Sequence, residues 1–164
     1  MKGDPEFPVW RELIAEATRQ ALVRQWHHAL LYAAFSLESF IDRMLSDKLT
    51  VSEVGEAYID HILRVGEKRY ELHVLNNRGL SRTAVNNLAE KLNETIFTPR
   101  NKLAHGKTMG SDITSELAVQ AVKTAVEFMW DWSPAARPWL FNKVKIVREE
   151  LIDDDLLRAC RADT

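Results

Sequence analysis

Thr98-Pro99-Arg100-Asn101-Lys102-Leu103-Ala104-His105-Gly106-Lys107 joins a helix start, cations, an amide, a histidine and a helix stop in one short stretch. Thr98 can accept from free amides as an N-cap, and Pro99 suits a first helical position because its missing N–H would be unpaired there anyway. Arg100 would then stand where free N–H groups and the positive end of the helix dipole favour an anion such as a phosphate. Asn101 and His105 are four apart and share a helix face. Arg100 and His105 diverge by about 140° around the axis, a gap the long arginine side chain can partly close. Gly106 tolerates a left-handed backbone, so the helix can end just after His105.

Outward from this stretch the apolar residues recur at helical spacing on both sides. From Val9 to Leu49 there is neither glycine nor proline, which predicts one very long helix or two helices with a bend. Thr50 or Ser52 can cap a second helix that ends at Asn76-Asn77-Arg78-Gly79, with Gly66 marking a bend or close crossing. Ser81 opens a third, stopping before Pro99. Asp112 reads as the N-cap of a fourth, rich in alanine, that Ser133-Pro134 ends. The expected fold is all-α, an antiparallel helical bundle of four to five main helices. Residues 1–8 read as a disordered lead or vector remnant, 9–133 as the bundle, and 134–164 as a C-terminal extension with a short helix. In that extension Trp139-Leu140-Phe141 is expected to cover a core or a partner.

The chain has 164 residues, 46% of them hydrophobic and 28% charged, which predicts one soluble domain with a real core. No apolar run is long enough for a bilayer, and a signal-peptide pattern is absent, so the expectation is a cytoplasmic protein with no membrane contact. Its single cysteine, Cys160, leaves no internal disulfide and argues against a cysteine-based zinc site. His27 and His28 are adjacent and point about 100° apart, so they do not form an i, i+4 metal pair; His61 and His73 read as structural. No metal and no cofactor are expected. The net charge is −2, yet residues 61–107 carry an excess of roughly five positive charges. Either that is a phosphate-contacting surface or a solvated helix face.

Arg100-Asn101, three residues, then His105-Gly106, between helical patterns in an all-helical chain, resembles the signature of the HEPN superfamily. That resemblance implies a helical bundle that dimerises, with an Arg-His pair from each subunit facing a shared cleft. Many such proteins are metal-independent endoribonucleases acting as toxins or antiviral effectors, sometimes with an antitoxin or regulatory protein; others bind RNA, nucleotide or a partner without catalysis. One departure is Lys107, where toxins paired with a nucleotidyltransferase antitoxin usually carry a tyrosine.

The chemistry fits RNA, which brings its own nucleophile in the 2′-hydroxyl. His105 is the candidate for proton transfer, Arg100 for stabilising charge on the phosphorane, and Asn101 for holding imidazole or phosphate. Lys102 and Lys107 would contact flanking phosphates. Glu38, a polar residue on a mostly apolar helix, either orients this group from the cleft or faces water. One histidine beside one arginine implies a homodimer for a complete site. The competing expectations are a non-catalytic phosphate-binding dimer of the same type and a plain helical interaction module.

Overall fold

The computed structural model describes residues 8–65 and 68–141. Among the described residues there are seven α-helices and no strand: α1 (Val9–Leu22), α2 (Trp26–Val51), α3 (Glu56–Val65), α4 (Lys68–Leu75), α5 (Arg82–Leu92), α6 (Thr98–Ala104) and α7 (Ser115–Trp132). Among the described residues no helix is long and apolar enough to cross a membrane.

The uninterrupted pattern from Val9 to Leu49 resolves into a hairpin of two helices. Ser36 Oγ donates to the Trp10 carbonyl at 2.8 Å, and the Trp10 ring meets Phe40 edge-on at 5.1 Å, so the start of α1 lies beside the middle of α2. Alanines 17, 21, 29 and 33 are fully buried, and their small side chains let the helix axes approach closely. The turn has no glycine. Arg24 takes a left-handed conformation (φ 60°), with Gln25 N–H donating to the Gln20 carbonyl at 2.8 Å and Arg24 N–H to that of Ala21 at 3.1 Å. That is the Schellman pattern, normally signalled by glycine.

The same ending recurs at α2, where Glu53 (φ 58°) is left-handed and Val54 N–H donates to the Leu49 carbonyl at 3.1 Å. Thr50 therefore lies inside α2 and Ser52 closes it, so neither caps the next helix. Gly55 does that work, its carbonyl accepting from Tyr58 and Ile59. Only the third Schellman end, at Gly106 (φ 65°), carries the glycine that announces it: Lys107 N–H reaches the Lys102 carbonyl at 2.8 Å and Gly106 N–H that of Leu103 at 3.1 Å. A Cβ at Gly106 would meet nothing within 4 Å, so Gly106→Ala isolates backbone strain. It is expected to lower stability by about 1 kcal/mol, while Arg24→Gly raises it, both read from urea unfolding.

α2 is the central element, packed against α1, α3, α4, α6 and α7. Its residues Leu30, Leu37, Ile41 and Leu45 are fully buried. Complete burial of each such side chain contributes about 1.5–3 kcal/mol. α7 packs along α2 in the same direction: His27 lies against Gly110 just before α7, and further along both helices Phe40 meets Phe128 at 6.2 Å. Thr114, not Asp112, caps α7, its Oγ1 accepting from Leu117 N–H at 3.2 Å. Asp112 instead accepts from Met109 N–H at 3.0 Å in a short 3₁₀ turn. Beyond Ser133 the chain folds back, with Leu140 buried and Trp139 edge-on to Trp10 at 5.6 Å. The Trp139-Leu140 pair thus covers the core as expected, while Phe141 is half exposed. Residues 1–7 and the rest of the extension from 142, with Cys160, lie outside the described residues, as do Gly66 and Glu67.

Candidate functional site

Ser81 caps α5 as expected, accepting from Ala84 N–H at 3.1 Å. The helix does not stop before Pro99. It runs on through a π turn, Asn93–Phe97, directly into α6, with Thr98 N–H donating to the Asn93 carbonyl. Thr98 is itself helical (φ −64°, ψ −49°) and is no N-cap. A proline inside a helix loses one hydrogen bond and crowds the carbonyl four residues back, here Thr95; the wider π turn immediately upstream makes room for it. One consequence corrects the sequence reading: Arg100 is not at a free helix start, so the helix dipole is not what would attract an anion to it.

What holds Arg100 is the side chain of Glu38, one layer across on α2, which forms an ion pair with guanidinium Nη2. Nη1 donates to Asn101 Oδ1 at 2.7 Å. The guanidinium carbon lies 5.4 Å from the centroid of Phe35, one helical turn before Glu38. Arg100 and Glu38 keep 20% and 30% of their side-chain surface, so the pair is shielded but reachable from water. Glu38 thus faces the motif rather than open solvent.

Asn101 is turned towards Arg100, not towards His105; the bond between Asn101 and His105 is a backbone one, from His105 N–H to the Asn101 carbonyl at 3.0 Å. His105 caps the C-terminal end of α6 (φ −92°, ψ 11°) and is exposed. Its ring makes no hydrogen bond or ion pair among the described residues, and nothing joins it to Arg100. Lys102 and Lys107 are exposed beside it, where the negative end of the helix suits cations. The structure therefore assembles Arg100, Asn101 and Glu38 and leaves His105, Lys102 and Lys107 on the open rim.

The broader positive excess is partly consumed inside the fold. Arg78 pairs with Asp131 at 3.8 Å, Lys91 with Glu127 at 3.9 Å, and Arg100 with Glu38. His73 is structural, its Nε2 3.0 Å from Asn86 Oδ1, and the His27 and His28 rings lie 4.0 Å apart at the start of α2.

A second charged group adjoins the site and was not read from the sequence. Lys68 Nζ lies 2.8 Å from Glu71 Oε2 and 3.8 Å from Asp42 Oδ1, and 5.9 Å from the centroid of the Phe97 ring in the π turn. Asp42 follows Glu38 by one turn of α2. Glu71 is almost wholly buried, at 2% exposure, and neither its Oε1 nor Asp42 Oδ1 has a hydrogen-bond partner. Among the described residues no trio of His, Cys, Asp or Glu is arranged to hold a metal ion, and cations fasten this group instead. The i, i+4 spacing of Glu38 and Asp42 and the i, i+3 spacing of Lys68 and Glu71 are visible in the sequence. Their meeting across three helices is not.

Burial pushes the Asp42 carboxyl above its ordinary value against the pull of Lys68, and Glu38 pushes it further. Burial likewise raises Glu71, with Lys68 opposing and Asp42 and Glu38 adding to the rise. Protons held more tightly in the folded state stabilise it at low pH, and that contribution is lost as pH climbs from the ordinary values of 3.8 and 4.5 through the raised ones. Asp42→Asn removes one such group. Its melting temperature relative to the parent is expected to rise as pH climbs from about 4 and to level off once the raised value is passed; a difference that is flat or falls throughout contradicts the assignment.

Compared with protein-family models, curated proteins and solved structures, the chain finds no match.

Proposed function

We propose that this chain is a metal-independent endoribonuclease of HEPN type, acting as a homodimer on single-stranded RNA. The observation that carries the reading is the fixed guanidinium of Arg100, oriented by Glu38 and Asn101 on a rigid helix whose C-terminal end presents an exposed histidine. A guanidinium held in place before substrate arrives needs little reorganisation when charge develops on the phosphorane, which is the largest source of rate in such chemistry.

Arg100 and His105 are five residues apart, about 7.5 Å along a helix axis and about 140° around it. One copy thus presents its phosphate holder and its proton-transfer group in different directions, and a two-fold pair would bring both kinds of group to one phosphodiester. In that arrangement His105 takes the proton of the 2′-hydroxyl as its oxygen attacks phosphorus. The bond to the 5′-oxygen breaks, and the histidine of the second copy protonates that leaving group. The products are a 2′,3′-cyclic phosphate and a 5′-hydroxyl. Glu38 acts as a positioning residue through Arg100.

A second reading, a dimer of the same type that holds phosphate, nucleotide or a partner without cleaving, draws on the carboxylate that Arg100 already carries. Glu38 competes with any incoming anion. Incubating purified protein with single-stranded RNA and excess chelator separates the two: cleavage with cyclic-phosphate ends supports the nuclease. Salt-dependent binding without cleavage supports the second reading. Neither binding nor cleavage leaves a helical interaction module.

A further inference from the structure

Behind Arg100 the ionisable groups form one chain across three helices. Arg100 on α6 meets Glu38 on α2; Asp42 lies one turn further along α2; Lys68 on α4 joins Asp42 to Glu71. Three carboxylates thus share two cations within this partly buried group. At one end lies Arg100, the group that would take a phosphate, which keeps 20% of its side-chain surface, as Lys68 keeps 19%. At the other end Glu71 is sealed from water with Oε1 unpartnered, so it has an oxygen that can carry a proton without breaking an existing bond, while Asp42 Oδ1 makes no hydrogen bond and faces Lys68 at 3.8 Å.

Resting on the reading that Arg100 binds a phosphodiester, we propose that anion binding at Arg100 is coupled to proton uptake by the Asp42 and Glu71 carboxylates that lie behind Glu38. A phosphate on the guanidinium adds a negative charge beside Glu38 and draws away part of the cation that balances it. Left with Lys68 alone, the group relieves the repulsion among its carboxylates by taking a proton from solvent at Asp42 or Glu71, and the burial of Glu71 favours that over rehydration there. The coupling is reciprocal: protonating Asp42 or Glu71 lowers the negative charge behind Arg100 and strengthens anion binding. Burial and mutual repulsion already raise Asp42 and Glu71, in line with this. His105 and Lys102 are the other ionisable side chains beside Arg100, and His105 is removed by substitution in the test below.

The test is calorimetric titration of the full chain with a single-stranded 2′-O-methyl oligonucleotide, whose phosphodiesters neither cleave by 2′-hydroxyl attack nor titrate near neutrality. Repeating it at one mildly acidic pH in buffers of different ionisation enthalpy gives the number of protons exchanged. A fraction of a proton is expected to enter with each bound site. Affinity then falls by up to about tenfold per pH unit as the group ionises. Uptake persists in His105→Ala and disappears in Asp42→Asn/Glu71→Gln. Binding with no proton uptake by the parent chain overturns the coupling and leaves the nuclease reading standing, and this measurement needs no variant to fold. Uptake that disappears in His105→Ala but survives in the carboxylate variant assigns the proton to His105 and overturns the proposal. No binding at all removes both.

Discussion

Replacing His105 by alanine is expected to lower RNA cleavage by about 10²- to 10⁴-fold, the usual contribution of a positioned acid–base group, with the fold unchanged. The structure makes this a clean experiment. His105 is exposed, its ring has no hydrogen bond or ion pair among the described residues, and its backbone bond to the Asn101 carbonyl survives the substitution. Such surface positions typically move stability by no more than about 0.5 kcal/mol. Circular dichroism and melting should therefore match the parent while cleavage, measured with chelator present, collapses. If His105→Ala cuts as fast as the parent, the histidine is not the proton-transfer group. Arg100→Ala should also abolish cleavage but is less clean, because it leaves the Glu38 carboxylate without its cation.

The largest structural loss is expected at Phe40. Its ring is buried at 2% exposure, edge-on to Trp10 on α1 at 5.1 Å and to Phe128 on α7 at 6.2 Å, so it joins the three longest elements of the core. Phe40→Ala removes that volume together with two aromatic contacts, at a cost of about 3–5 kcal/mol. For a chain of this size the melting temperature should fall by roughly 6–20 °C. Phe40 lies half a turn from Glu38 on the same helix, so loosening α2 should also lower Arg100-dependent RNA binding. A loss below about 1 kcal/mol in urea unfolding would mean that the ring does not bridge these helices.

Composition and periodicity were enough for the class of fold, because an apolar residue every three to four positions has one good solution, a packed helix. The caps were legible only where side-chain chemistry announces them. Ser81 accepts from its helix as the sequence predicts, and Gly106 takes the left-handed turn. Arg24 and Glu53 make the same turn without a glycine, so the hairpin between α1 and α2 and the true end of α2 were hidden. Local preference there is overruled by the apolar area that the α1–α2 contact buries. Pro99 misled in the opposite direction: a residue that normally opens or breaks a helix sits within one, tolerated by the π turn before it.

By itself the sequence determined the helical class, the Ser81 cap and the helix end at Gly106, because these follow from spacings of a few residues along one helix. Only the tertiary structure decided that Glu38, 62 positions away from Arg100, holds its guanidinium, and that Asp42, Lys68 and Glu71 gather behind it. The physical reason is that a charge drawn from water must find its partner wherever packing places one, and helix packing brings together residues whose separation along the chain carries no signal.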